Sequence, residues 1–352
     1  MKSSVSSIGS IIKVAFTYVG TIVGAGFASG QEILQFYTRY GWMAEFTIAL
    51  SSILFVWLGI KMMLLAYDVK AVSYEDLNRH LFGQRVGNWI SIFSLIVLFG
   101  ITSVMLAASG SVFAEQLHLS PQTGLLVTLF ASYFVIVKGM NAIMNVNSIV
   151  VPIMVMFTVL LLVYTLNSPG GDSWLHLSTD HSMTRIWLAP FLYVSFNLAT
   201  AQAVLVPVGA TIRNRNVLLA GGLLGGVMIG LLLLAVHIAL AAQMPGIAQF
   251  DIPMAHLIRP FGTTLQFLYI FVIYGEIFTT YIANVYGITL QLQNYMRVPR
   301  QVIIVAILTL SYFCGQFGFK PLLTTLYPLF GLVSISWLVM LVWRPTARSA
   351  PR

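Results

Sequence analysis

Gly20-Thr21-Ile22-Val23-Gly24-Ala25-Gly26-Phe27-Ala28-Ser29-Gly30-Gln31-Glu32 places four glycines within eleven residues, inside an apolar run that spans about 8–38. Each glycine weakens a helix interior by up to ~1 kcal/mol relative to alanine. Gly20/Gly24 and Gly26/Gly30 also have the small-xxx-small spacing that lets helices pack closely. Packing alone leaves Ser29-Gly30-Gln31-Glu32 unexplained, because S-x-x-E is a capping box and belongs at a helix start. The stretch therefore predicts a break between Gly24 and Ala28 followed by a fresh helix, with Glu32 capping that helix and complementing its dipole.

The surroundings of this stretch are those of a polytopic membrane protein. The 352 residues are 58% hydrophobic and 8% charged, with a mean hydropathy of +0.89, whereas soluble domains carry roughly 25% charged residues. Apolar runs such as Ile90 to Phe113 and Val217 to Ala242 exceed the ~20 residues that cross a bilayer. Their continuity fits helices and excludes an outer-membrane barrel of alternating strands. Hydropathy delimits ten spans, at about 8–38, 42–67, 87–116, 121–138, 146–166, 184–211, 216–243, 261–293, 300–317 and 322–343. Residues 1–352 thus read as a single transmembrane domain. The connection from Asp68 to Gly87 has room for a short amphipathic helix.

Charge fixes the expected direction. Ten spans put both termini on one side, together with Lys2, Lys13, Lys61, Lys70, Arg79, Arg85, Lys138, Arg213, Arg215, Arg297, Arg300, Arg344, Arg348 and Arg352. Only Arg39, Arg185, Arg259 and Lys320 fall opposite. This bias places both termini in the cytoplasm. The net charge of +8 is scattered singly and forms no nucleic-acid stripe. Cys314 is the sole cysteine, which excludes an internal disulfide and a cysteine metal cage. Lys2 and Lys13 before an apolar stretch look like a signal peptide, but no cleavage region follows, so the segment reads as a retained span.

A second interrupted span is expected at Tyr193-Val194-Ser195-Phe196-Asn197-Leu198-Ala199-Thr200-Ala201-Gln202, between Pro190 and Pro207. Ser, Asn, Thr and Gln together at mid-membrane depth call for partners or a cavity. The two stretches open the two five-span halves, and paired interrupted spans are the best sequence pointer to a transporter site. A broken helix frees backbone groups: its amino termini attract anionic groups such as carboxylates, and its bared carbonyls coordinate cations.

The eighth span carries Tyr274-Gly275-Glu276-Ile277-Phe278-Thr279-Thr280-Tyr281-Ile282-Ala283-Asn284. Glu276, Thr280 and Asn284 share one helical face that cannot comfortably meet lipid. Two threonine hydroxyls suit a hard cation, although membrane threonines commonly bond to their own helix. Glu276 and Glu32 are the intramembrane acids open to proton coupling.

VGTIVGAGFASGQEI, with the ten-span plan, resembles the YkvI-type family of bacterial permeases in the amino acid-polyamine-organocation superfamily, over essentially the whole chain. The resemblance implies the LeuT-type fold: an all-α bundle of ten helices in a 5+5 inverted repeat, approximately 8–166 and 184–343, with helices 1 and 6 discontinuous. It also implies a bacterial cytoplasmic (inner) membrane location. By the same resemblance one sodium ion would be held by the carbonyls of Gly20, Val23 and Glu276 and the hydroxyls of Thr279 and Thr280. Gly24, Ala25, Gly26 and Phe27, with Ser195, Phe196 and Asn197, would bind the substrate. Where sodium-coupled relatives carry an asparagine this chain has Phe27, which implies a single ion.

Other features carry structural readings. Gly221, Gly222, Gly225, Gly226 and Gly230 form a packing surface. Asn141, Asn145 and Asn147 read as turn and capping residues, His237 as a packed histidine, and His176, His181, Asp172 and Asp180 as a solvated cluster. No ATP-binding motif is present, and no acid/base or metal constellation marks an enzyme. The expected function is secondary active transport of a small amino-acid-like solute by sodium symport, with no cofactor beyond the ion. The alternatives are proton coupling or exchange through Glu276 or Glu32, and a membrane sensor or assembly subunit that binds without transporting.

Overall fold

The computed structural model describes residues 2–71, 73–138, 140–168, 172–212 and 214–344. Arg213, Arg348 and Arg352 lie outside them, as do the side chains of Asn141, Asn145 and Asn147. The described residues are overwhelmingly helical and contain no strand. Among the described residues, seven helices are long and apolar enough to cross a membrane: α4 (Met43–Val69), α6 (Gln84–Leu117), α7 (Pro121–Lys138), α9 (Met183–Thr211), α10 (Arg215–Ala241), α12 (Thr263–Tyr295) and α14 (Phe319–Trp343). Shorter apolar stretches lie in α1 (Lys2–Ile22), α8 (Met140–Leu166) and α13 (Arg300–Gly315). α8 begins at Met140, so the three asparagines sit within its first turns and not ahead of it.

Polarity is arranged for lipid. Phe130, Phe271 and Trp343 are more than two-thirds exposed, whereas Glu32, Glu276, Asn197, Gln202 and His237 are buried. Apolar groups need no shelter from hydrocarbon, while polar groups must find partners inside the bundle.

The first span is interrupted as the glycines require. α1 ends at Ile22, Gly24 is extended (φ −110°, ψ −158°), and α2 (Ala25–Ser29) starts immediately. The break thus falls at the leading edge of the expected window. A second interruption was not anticipated: Gly30 takes φ +84°, a left-handed conformation available to glycine at little cost, and α3 (Gln31–Phe36) follows it. The expected capping box does not form. Ser29 is the last residue of α2, its hydroxyl donates to the Gly26 carbonyl at 2.9 Å and accepts from the Gln31 N–H at 3.2 Å, and the N-cap position of α3 is Gly30, which has no side chain to close the box with Glu32. A capping box does form at Ser73 and Asp76, which start α5 (Tyr74–Phe82), the short helix expected between the second and third spans.

The sixth span corrects the sequence reading. α9 runs unbroken from Met183 to Thr211, with Pro190 and Pro207 inside it. Its polar side chains donate to carbonyls of their own helix without unwinding it: Asn197 Nδ2 donates to the Tyr193 carbonyl (2.9 Å), the Thr200 hydroxyl to Asn197 (2.9 Å) and Gln202 Nε2 to Ala199 (2.7 Å). No glycine lies between the prolines to lower the cost of a break.

The α10 glycines let α1 and α4 approach. A Cβ on Gly221 would stand 2.6 Å from Val14, and one on Gly226 2.6 Å from Val56.

Candidate functional site

The break in the first span bares backbone at the centre of the bundle. Gly24 N–H, which in a continuous helix would reach the Gly20 carbonyl, instead donates to Ile22 (3.1 Å), and helical bonding resumes only from Ala28 N–H to Gly24 (2.9 Å). Among the described residues no backbone hydrogen bond ends on the carbonyl of Gly20 or Val23. α12 packs against α2 here. Thr280 Oγ1 faces Gly24, 3.4 Å from where a Cβ would stand. One residue earlier, Thr279 Oγ1 donates to the Glu276 carbonyl at 3.2 Å and keeps its lone pairs. Thr280 thus stands beside the break at Gly24, with Thr279 and the Glu276 carbonyl within one turn of it on α12. On the same α12 face, Glu276 Oε1 and Asn284 Nδ2 are buried without a hydrogen-bond partner.

Glu32 lies on the other side of α2. Its Oε2 accepts a hydrogen bond from the Tyr193 hydroxyl of α9 at 3.3 Å, and the Tyr327 hydroxyl of α14 also reaches the carboxyl. Its Oε1 lies so close to Gly26 that a Cβ there would stand 1.8 Å away. Tyr193 is held by the rings of Phe36, Tyr37 and Phe55 (5.2–6.0 Å between centroids), and Tyr327 by Phe196 at 4.5 Å. Glu32 is thus not a helix cap but the hub where α2, α3, α9 and α14 meet. Sequence reasoning missed Tyr193 and Tyr327. Their signal was chemical: a buried carboxyl demands donors, and hydroxyl-bearing rings in other spans supply them.

The remaining substrate candidates are placed differently. Ala25 and Phe27 are almost fully buried in α2. Ser195 turns toward α14, donating to the Gly331 carbonyl at 2.8 Å, and Asn197 spends a donor on its own helix. Phe196 meets Tyr327 in a tilted ring contact, 4.5 Å between centroids. His237 Nδ1 pairs with the Thr38 hydroxyl at 3.1 Å. His181 faces Arg39 at 3.4 Å, and no metal-binding cluster occurs among the described residues.

The connection between α10 and α12 closes over the far end of α2 and α3. It includes α11 (Pro253–Leu257), and Met254 and Pro253 cover the spot where Gly30 has no side chain. Gln31 Nε2 donates to the Phe250 carbonyl (3.1 Å), and Lys320 Nζ to Ala248 (2.6 Å). Glu115 at the end of α6 accepts from the Asp251 and Ile252 amides at 2.7 and 3.0 Å. Ser111 donates to the Asp251 carboxylate at 2.8 Å. Burial pushes the Asp251 carboxyl above its ordinary range.

The fold has known counterparts. The structure of MhsT in complex with L-phenylalanine matches with a TM-score of 0.70 at 12% identity, covering 94% of this chain and 88% of MhsT. The inward-facing conformation of Mhp1 matches with a TM-score of 0.67 at 12% identity, covering 94% and 75% of the two chains. The chain is therefore an all-helical membrane protein of the LeuT-type fold. No family model matches it. It is 37% identical over 351 residues to the uncharacterized membrane protein YkvI of Bacillus subtilis, covering 98% of this chain and 97% of YkvI, and it belongs to the YkvI family.

Proposed function

We propose that the chain is a secondary active transporter, not an enzyme, that moves a small amino-acid-like solute inward by alternating access, coupled to one sodium ion. The observation that carries this reading is the Val23–Gly24 break, where the Gly20 and Val23 carbonyls accept no backbone hydrogen bond and the Thr280 hydroxyl faces Gly24. Sodium prefers a cluster of neutral and carbonyl oxygens over nitrogen or sulfur, and Gly20, Val23, Glu276, Thr279 and Thr280 supply five. The backbone of Gly24, Ala25, Gly26 and Phe27 would face the substrate, whose carboxylate would be met by the amino end of α2 and the ion, since no lysine or arginine stands there. Because α9 is continuous, Ser195, Phe196 and Asn197 would contribute side chains and not freed backbone.

Similarity to MhsT, whose complex holds L-phenylalanine, supports an amino-acid-like cargo. The ten helices would divide into the inverted repeats 8–166 and 184–343 in a bacterial cytoplasmic membrane, with both termini in the cytoplasm, as the distribution of basic residues favours. The test is uptake into proteoliposomes under a sodium gradient. Thr279→Ala/Thr280→Ala should lower sodium-dependent uptake more than ~10-fold, in line with losing two of five ion ligands. Undiminished sodium dependence would remove the ion assignment.

A second reading is proton coupling. It is favoured by the Glu32 carboxyl pressed on Gly26 between two tyrosine hydroxyls, and by the unpaired Glu276 oxygen. Uptake driven by a pH gradient, and abolished by Glu32→Gln or Glu276→Gln, would establish it in place of sodium. A sensor or assembly subunit would show binding with no accumulation.

A further inference from the structure

Basic side chains gather where the first span ends, and neither the ion reading nor the substrate reading uses them. The connection from α8 to α9 is fastened over this point. Trp42 N–H donates to the Leu177 carbonyl at 2.9 Å, the Thr179 hydroxyl donates to the Arg39 carbonyl at 3.5 Å, and a Cβ at Gly41 would strike Leu177. This sets His181 against Arg39. The Arg39 Nε–H donates to His181 Nε2 at 3.4 Å, its Nη1–H donates to Gln35 at 2.6 Å, and the Tyr40 ring meets the imidazole edge-on. Because His181 accepts at Nε2, its neutral ring keeps a proton on Nδ1 to donate. Arg185, in the first turn of α9, bears on the same imidazole: burial lowers the His181 pKa below its ordinary value, and the charges of Arg39 and Arg185 lower it further against Asp180.

Two guanidiniums thus share one neighbourhood, yet among the described residues neither forms an ion pair, and Arg185 donates no hydrogen bond. Like charges repel, and guanidiniums bind phosphate and carboxylate oxygens through forked N–H groups, so the cluster selects an anion. Its position selects which one. Arg39 directly follows the first span and Arg185 opens the sixth, with exposed Trp42 and Trp187 a few residues beyond them. Exposed tryptophans collect at the membrane–water boundary. At that depth the abundant anion is the lipid phosphate, which basic residues beside a span attract.

We propose that Arg39, His181 and Arg185 form a binding site for the phosphate of an anionic phospholipid at the membrane surface, with Trp42 and Trp187 at headgroup depth beside it. A bound headgroup bridges the end of the first span to the start of the sixth, and it does so independently of the broken-span site.

The experiment is native mass spectrometry of the purified, delipidated full chain in a non-ionic detergent, titrated with phosphatidylglycerol and with diacylglycerol of the same acyl chains. Phosphatidylglycerol should bind ~10-fold more tightly, the factor one charge-assisted hydrogen bond supplies. Arg39→Gln/Arg185→Gln should erase that preference. Arg185→Gln alone, at an exposed residue whose loss leaves the fold intact, should weaken it severalfold, whereas Arg259→Gln removes the same charge at another exposed position and should leave it unchanged. Inorganic phosphate is the soluble source of the same chemistry, and at equal concentration it should displace no lipid. Equal affinity for the two lipids, an undiminished preference in Arg185→Gln, or displacement by equimolar inorganic phosphate would each overturn the proposal. Lipid binding is read without transport, so a failure of the transport reading would leave the result intact.

Discussion

A carboxyl buried among apolar helices is stable only with donors directed at it. Glu32 obtains one from Tyr193, 161 positions away in sequence, with the Tyr327 hydroxyl of α14 near the same carboxyl. Such a link is both support and constraint, because it ties the α2–α3 segment to two long helices through a few atoms. Tyr193→Phe removes one donor and leaves the ring packing with Phe36, Tyr37 and Phe55 in place. It should destabilise the protein by ~1–3 kcal/mol, the range for depriving a buried polar group of its partner. Thermal unfolding in detergent measures this, and an unchanged midpoint would mean that Tyr327 alone satisfies the carboxyl. No sequence pattern announces the pair. Glu32 was legible as an anomaly, but its local neighbours offered a capping role that the αL turn at Gly30 forestalls by ending α2 at Ser29.

At the level of the helix, the two stretches that look interruptible in sequence behave differently for one physical reason. Glycine lowers the cost of a break by removing the side chain that would stabilise the helix, whereas Ser, Asn, Thr and Gln can satisfy themselves on their own carbonyls and leave the helix whole. The Val23–Gly24 break was therefore legible, and the continuity of α9 was not, since polar composition fits both outcomes. The glycine surface of α10 was legible because its spacing has a single geometric use. It supports a sharp test: a Cβ at Gly226 would stand 2.8 Å from the Val56 backbone N and Cα, so the neighbour cannot yield by turning a side chain. Gly226→Val should cost ~1–3 kcal/mol by overpacking. Gly246→Ala, where no heavy atom lies within 4 Å of the added carbon, serves as the control in the same thermal unfolding assay.

Across the whole molecule, the structure is shut at one end. The connection carrying Phe250, Asp251 and Met254 is tied to α3 through Gln31, to α6 through Glu115 and Ser111, and to α14 through Lys320, and it covers the second interruption at Gly30. Under the proposed topology this is the outer end, so solute entry requires these ties to part, and the same ties set how easily they do. Glu115 is the strongest single attachment, because one carboxylate accepts two adjacent backbone amides; its removal leaves both without that acceptor. In a Cys314→Ser background, Met254→Cys is a suitable reporter, since Met254 is 1% exposed. A membrane-impermeant maleimide should label it slowly in the parent and more than ~10-fold faster in Glu115→Ala, because local opening governs the access of buried groups. Equal labelling rates would show that Gln31 and Lys320 hold the closure without Glu115.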